Sequence, residues 1–266
     1  MSEPTPDEID PIECAQLLIL GGHYRQAEDV LLTARRDAVA DSEEDARCAN
    51  GLGVVYKYLG RYDDARRAYE QARAVIEPAD PAGPMMATLL HNLAGLAHSR
   101  GQSADGEADA RRAVELRVAL VGADHEDVAA DLANLGVLLE AQGKFEEARA
   151  CFERAVAIFE RVRGRAHPEV AFNLGNLAAI AEARGRYEES QLLYDEALAL
   201  QRDLLGSGHP ETMRTLNNLA YLYRVSGRRA EAVAAYRTVV ATLEPQVSAD
   251  HPVLRAARAQ LDREAV

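Results

Sequence analysis

The chain has 266 residues with 30 basic and 43 acidic side chains, which gives a formal charge of −13 at pH 7. A polyanion of this kind repels nucleic acid and acidic membrane surfaces, so we expect neither as a partner. The longest apolar stretches, such as residues 17–20, are far too short to span a bilayer. Hydrophobic residues make up 48% of the chain and aromatic residues only 5%, a composition that favours a helical protein.

Residues 1–10 predict a short acidic N-terminal tail, in contrast to the cationic start of a secretory signal peptide. The three cysteines, Cys14, Cys48 and Cys151, are far apart and lack the spacing of a metal site. A disulfide framework is therefore not expected, and a reducing, cytoplasmic location is.

Two short phrases recur along the chain. The first begins with a histidine, and its copies are 42 residues apart, at His125, His167, His209 and His251. The second begins with a glycine followed by a basic and an aromatic residue, with copies at 22–27, 60–65, 143–148, 185–190 and, more loosely, 227–232. A fixed period of this length is the signature of a repeat protein, whose units bury their apolar faces against their neighbours.

The unit that starts at His125 predicts two helices. Apolar residues at spacings of three and four favour a first helix over 128–141. Gly143 ends it, because glycine readily adopts the left-handed conformation of a helix cap. A second helix follows over 145–161, and Pro168 then suits the first turn of the next unit.

Small and large side chains alternate between these helices in fixed columns. Small residues let two helix axes approach closely, and large ones fill the space between units. The small column of the first helices is Ala15, Gly53, Ala94, Gly136, Ala178 and Ala220. That of the second helices is Ala27, Ala65, Gly106, Ala148, Ser190 and Ala232, and the large column is Leu31, Tyr69, Phe152, Tyr194 and Tyr236.

These columns resemble the signature of the tetratricopeptide repeat (TPR). The 42-residue period, with the phrases at 206–210 and 217–220, is similar to the kinesin-light-chain subtype. The resemblance implies an all-α, right-handed superhelical solenoid, with six helix pairs over residues 11–250 and a C-terminal capping helix over residues 251–266.

Two places depart from the repeat pattern. In the third unit Gly106 and Ala110 replace larger residues, and a proline-bearing loop with Pro78, Pro81 and Pro84 precedes it, so we expect the weakest point of the array there. At the C-terminus Asp262 occupies the small-residue column, where burial of an unpaired carboxylate would be costly. Nothing is therefore expected to pack on that side of the last helix.

The resemblance also implies that the first helix of each pair lines a concave, peptide-binding groove. The side chains expected there are Arg47, Asn50, Lys57, Asn92, Asn134, Asn176, Arg214, Asn217, Asn218, Tyr221 and Arg224, together with His91, His98, Glu140 and Glu182. A side-chain amide both donates and accepts, which matches a peptide group, and helices about 10 Å apart would meet every third residue of an extended ligand. The open alternative is that the asparagines at 92, 134, 176 and 218 tie one helix to the next.

The basic residues of this set lie near its two ends, with Glu140 and Glu182 between them. In a chain of charge −13, cations gathered on one face favour an acidic or C-terminal carboxylate anchor on the ligand. Ordinary solvated helix charge is the other interpretation.

Catalytic and metal chemistry find no support in the sequence. The periodic histidines would lie about 10 Å apart, too far to share one metal. The segment 206–208 lacks the lysine of a phosphate loop, and the paired glutamates at 146–147 and 188–189 recur once per unit, as helix-start residues do. We therefore expect no enzyme, no catalytic residue, no cofactor and no metal.

The function expected is a non-catalytic interaction scaffold that binds a peptide or partner segment in its groove, as a monomer. Two alternatives stay open on the sequence. One is a structural scaffold that self-assembles through its ends or its convex surface, and the other is a regulatory subunit of an enzyme on another chain.

Overall fold

The computed structural model describes residues 10–264, which form thirteen α-helices and no strand. The predicted acidic tail thus lies outside the described residues except for Asp10. Across the described part of the chain, no helix is long and apolar enough to cross a bilayer. The helices are α1 (Pro11–Leu20), α2 (Tyr24–Asp37), α3 (Glu43–Tyr58), α4 (Tyr62–Ala79), α5 (Pro84–Ser99), α6 (Ser103–Val121), α7 (Glu126–Ala141), α8 (Phe145–Arg163), α9 (Pro168–Ala183), α10 (Tyr187–Leu205), α11 (Pro210–Val225), α12 (Arg229–Leu243) and α13 (Pro252–Glu264).

The chain divides into two compact units between Gly143 and Lys144. In unit 1 each helix packs on the next, and the first helices of successive pairs, α1, α3, α5 and α7, also pack side by side. In unit 2 the helices α9, α11 and α13 do the same. We call the surface that these first helices form the first-helix face of each unit.

The predicted small and large columns are buried as expected. Ala15, Ala94, Ala178 and Ala220 are almost fully inaccessible, as are the large residues from Leu31 to Tyr236. Gly53 shows why the small column is needed, because a Cβ at this position would lie 2.2 Å from Cε1 of Tyr69. Helices α3 and α4 can therefore pack this closely only because residue 53 has no side chain at the point where it contacts the Tyr69 ring.

The third unit contains a close contact between its two helices and no ring in the large column, and it stays the predicted weakest point of the array. Ala110 is buried on α6 although it lacks the volume of Tyr69. A Cβ on Gly106 would lie 2.6 Å from Cβ of Ala97, so α6 approaches α5 at a distance that only glycine allows.

The local helix signals are confirmed, with one correction. His125, His167 and His209 are N-caps, and each Nδ1 accepts a hydrogen bond from the backbone N–H two residues later. Gly143 follows α7 with a φ of 74°, in the left-handed region. The assignment of Pro78 and Pro84 to a loop is wrong, since Pro78 lies in the last turn of α4 and Pro84 is the first residue of α5, so that only Pro81 lies in the connection. A proline in the last turn of α4 removes one helical hydrogen bond only, and the N–H of Asp80 still donates to the Ile76 carbonyl at 2.9 Å.

The last helix presents two different sides. Leu254 and Ala257 of α13 are buried in the core of unit 2. Asp262, which stands in the small-residue column, is exposed, so its carboxylate meets water.

Candidate functional site

In unit 1 the predicted groove asparagines are used within the fold. Asn92 Nδ2 donates to Asn50 Oδ1 at 3.0 Å, which joins α5 to α3. Asn134 Nδ2 donates to the backbone carbonyl of His91 at 2.9 Å, which joins α7 to α5. These amides therefore tie neighbouring first helices together, as the structural alternative predicts.

A second side-chain contact between helices of unit 1 was not predicted from the sequence. Asp131 of α7 is only 2% exposed, and its two carboxylate oxygens contact His91 Nδ1 at 2.7 Å and Arg117 Nε at 3.2 Å. A buried carboxylate without such partners would be costly. An aspartate among the apolar residues of α7 was the available signal, because it requires a partner from a neighbouring helix.

The charged residues of this face in unit 1 differ in how they are paired. Arg47 is exposed and contacts Asp10 at 3.2 Å. Lys57 is half-buried, and its ammonium lies 5.3 Å from the ring centre of Tyr58 with no carboxylate of residues 10–264 within 4 Å. Burial lowers the pKa of Lys57, and burial together with the charge of Lys57 lowers the pKa of His98.

One cavity brings two predicted site residues together in unit 1. It has a volume of ≈ 210 Å³ and lies between α1, α3 and α5. Arg47 and Asn50 line it together with Ile12 and Met85. The cavity walls therefore combine apolar side chains with polar groups, among them the Arg47 guanidinium and the Asn50 amide.

The first-helix face of unit 2 has amide atoms without partners. Asn176 on α9 and Asn217 on α11 are half-buried. Asn176 Nδ2 and Asn217 Oδ1 are both shielded from water and make no hydrogen bond with any described residue. Asn218 is half-buried beside them on α11. Buried polar atoms are almost always paired in folded proteins, which makes this unused donor and acceptor on adjacent helices candidates for a ligand contact.

Two arginines accompany these amides in unit 2. Arg214 Nη2 contacts Glu211 at 2.5 Å and its guanidinium lies 5.5 Å from the ring centre of Phe172. Arg224 lies over the ring of Tyr221 at 4.7 Å, and Tyr221 is 39% exposed. The Nε atoms of both arginines lack a hydrogen-bond partner within the described chain.

An acidic group completes this face of unit 2. Burial raises the pKa of Glu182 to about 7, while the nearby charge of Arg224 acts in the opposite direction. Glu182 is on α9 and Arg224 on α11, yet no ion pair within 4 Å joins them. The face thus holds a cation and a carboxyl group on adjacent helices with no ion pair between them.

The helix pairs and their buried columns define a helical repeat protein, and comparison with known families identifies which one. One model described as tetratricopeptide repeat matches residues 85–161, 130–203 and 169–244, and a second tetratricopeptide repeat model matches residues 46–77. These matches cover more than half of the chain. The chain therefore belongs to the tetratricopeptide repeat family, whose members are in general non-catalytic scaffolds for protein interactions.

Solved structures show the same fold. A Podosopora anserina protein described as a kinesin light chain with nearly identical TPR-like repeats is 24% identical, with a TM-score of 0.63 over 78% of this chain and 99% of its own. The apo form of the quorum sensor NprR from B. thuringiensis is 14% identical, with a TM-score of 0.75 over 95% of this chain and 69% of its own. A Rap protein complexed with competence and sporulation factor is 16% identical, with a TM-score of 0.62 over 96% of this chain and 74% of its own. No curated protein sequence matches the chain.

Proposed function

We propose that this chain is a cytoplasmic, non-catalytic scaffold that binds an extended peptide segment of a partner protein on the first-helix face of unit 2. The unpaired amide atoms of Asn176 and Asn217 carry this proposal. Nothing within the described fold uses them, whereas Asn92 and Asn134 of unit 1 are paired. The residues proposed to contact the peptide are Asn176, Arg214, Asn217, Asn218, Tyr221 and Arg224.

A peptide backbone supplies what the two amides lack. Asn217 Oδ1 would accept from a peptide N–H, and Asn176 Nδ2 would donate to a peptide carbonyl. The helices α9 and α11 pack side by side, so their axes lie about 10 Å apart and an extended chain would cross from one to the other in about three residues. Both side chains are half-buried, and the proposal requires each amide to rotate so that its unpaired, buried atom faces the ligand.

The arginines support an anionic anchor on the same segment. The guanidinium groups of Arg214 and Arg224 can bind a carboxylate once their buried, unpaired Nε atoms turn toward the ligand, and such charge-assisted bonds are stronger than neutral ones. The exposed ring of Tyr221 offers apolar area beside Arg224. An acidic side chain or the C-terminal carboxylate of the partner would pair with these arginines. The Rap protein complexed with competence and sporulation factor is a precedent for ligand binding by this fold.

Selection from a random peptide library displayed on phage tests the proposal. We expect the selected peptides to lose at least about tenfold in affinity when Asn176→Ala and Asn217→Ala are combined, because two hydrogen bonds are lost. The control is Gln26→Ala, which removes an exposed amide from α2 and should leave the affinity unchanged. Equal binding by the double variant and the wild type would overturn the proposal.

Unfolding of the same variants separates binding from folding. Asn176→Ala and Asn217→Ala remove atoms that make no bond within the described chain, so their unfolding midpoints should stay at the wild-type value. Asn134→Ala loses the bond to the His91 carbonyl and should lower the free energy of unfolding by about 1 kcal/mol. Denaturant titration of the three variants measures this difference.

A further inference from the structure

One column of the repeat carries a charged or titratable residue in five successive first helices. Its members are Lys57 and His98, followed at intervals of 42 residues by Glu140, Glu182 and Arg224. Within residues 10–264 none of the five is in an ion pair. Four are half-buried and His98 is exposed. We call this set the charged column.

In unit 1 the side chain of Lys57, the first member of the charged column, lies beside Gly95 of α5. A Cβ at Gly95 of α5 would lie 3.4 Å from Nζ of Lys57, so the lysine extends from α3 over α5. The same place on the other first helices is taken by larger residues, namely Val54, Val137, Ala179 and Tyr221. A Cβ at this distance is in ordinary van der Waals contact with the ammonium, whereas a side chain larger than that of alanine would crowd it, so the glycine leaves space for the positive charge over α5.

Glu140 presents the opposite charge on the next first helix of unit 1. It is half-buried near the end of α7, and no cation of the described chain pairs with it. Burial raises the pKa of Glu140 and lowers the pKa of Lys57. Each charge is therefore partly desolvated without a partner of opposite charge in the described chain, in contrast to Arg47 with its Asp10 contact.

We propose that the first-helix face of unit 1 selects a bipolar peptide segment, in which an acidic side chain pairs with Lys57 and a basic side chain pairs with Glu140. The inference rests on the proposed function in one respect, namely that the ligand is a peptide. Because the ammonium lies over α5 and Glu140 is on the adjacent α7, the two charges of the ligand are separated by about 10 Å, or about three to four residues of extended chain.

The test uses synthetic peptides of one composition in which a single aspartate and a single lysine are placed at different separations and in both orders. Binding is measured by fluorescence anisotropy of labelled peptides. We expect one order to be preferred, with the highest affinity at a separation of about three to four residues. Replacing the aspartate by asparagine and the lysine by glutamine should weaken that peptide about tenfold.

A charge-swapped variant makes the test specific to these two residues. Lys57→Glu combined with Glu140→Lys should invert the preferred order of the peptide charges. The matched control is Arg36→Glu with Asp37→Lys, which swaps an exposed pair on α2 and should leave the preference as in the wild type. Binding that is independent of separation and order, a preference that survives the swap, or no binding by any of the peptides would overturn the inference.

The outcome is separable from that of the proposed function. The amide variants of unit 2 report on Asn176 and Asn217, and the charge swap reports on Lys57 and Glu140 in unit 1. Loss of binding by the amide variants with no effect of the swap would remove only the bipolar selection. The reverse result would remove the amide mechanism and leave the charge selection standing.

Discussion

Replacement of Tyr69 by alanine is expected to lower the free energy of unfolding of the chain by about 4 kcal/mol. Tyr69 is fully buried in the core of unit 1, where it packs with residues of α3, α5 and α6. Truncation removes the apolar area of the ring and leaves a cavity that the fixed helix spacing cannot close. The loss is measured by denaturant titration of wild type and variant.

The control for this result is Tyr69→Phe. The hydroxyl of Tyr69 is buried and has no hydrogen-bond partner among the described residues, so its removal should leave the stability unchanged or slightly increased. A loss of less than about 1 kcal/mol for Tyr69→Ala would contradict the view that the large column fills the repeat core.

Gly53→Ala is expected to lower the free energy of unfolding by about 3 kcal/mol, which is a large effect for one added methyl group. The added Cβ would lie 2.2 Å from the Tyr69 ring, which is itself enclosed and has no free space to move into. Either the two helices separate or the ring leaves its rotamer. The midpoint of unfolding measures the combined cost.

Gly175→Ala is the matched control, because it is the same substitution on a first helix of unit 2. No atom lies within 4 Å of the Cβ that it adds, so the better helix propensity of alanine should raise the stability by about 0.5–1 kcal/mol. A double-mutant cycle with Tyr69→Leu tests the contact directly, since a smaller side chain at 69 should recover part of the loss. Equal effects at positions 53 and 175 would show that crowding by Tyr69 is not the cause.

The repeat architecture was predictable because its determinants recur. Positions such as Gly53, Tyr69 and Ala178 are dictated by the close packing of two helices, and the same residue sizes recur in most units of the sequence. The histidine N-caps and the helix end at Gly143 are likewise local, since each depends on residues within one or two positions.

The roles of the asparagines were not predictable, because a hydrogen bond depends on what lies opposite the side chain. Asn134 and Asn176 are 42 residues apart in the same column, yet one amide donates to a backbone carbonyl and the other has an unpaired Nδ2. The alternatives of ligand binding and helix tying were both open on the sequence. The amides of Asn92 and Asn134 in unit 1 form hydrogen bonds between first helices, and ligand binding remains the proposal for the amides of unit 2.

The network around Asp131 and the position of Pro78 were missed for a related reason. His91 and Arg117 reach Asp131 from other helices, across 40 and 14 residues of sequence. Pro78 is normally a helix breaker, but the last turn of α4 tolerates it because the loss is confined to one bond. Both cases depend on tertiary context that periodicity alone does not contain.

A backbone N-methyl scan of a selected peptide tests the central claim most directly. Each peptide N–H is methylated in turn, and the affinity is measured for the wild type and for Asn217→Ala. Recognition of the backbone by Asn217 Oδ1 predicts one position where methylation costs about tenfold in the wild type and nothing further in the variant, because the acceptor is already absent. Tolerance of methylation at every position, or the same loss in both proteins, would contradict backbone recognition by the first-helix face of unit 2.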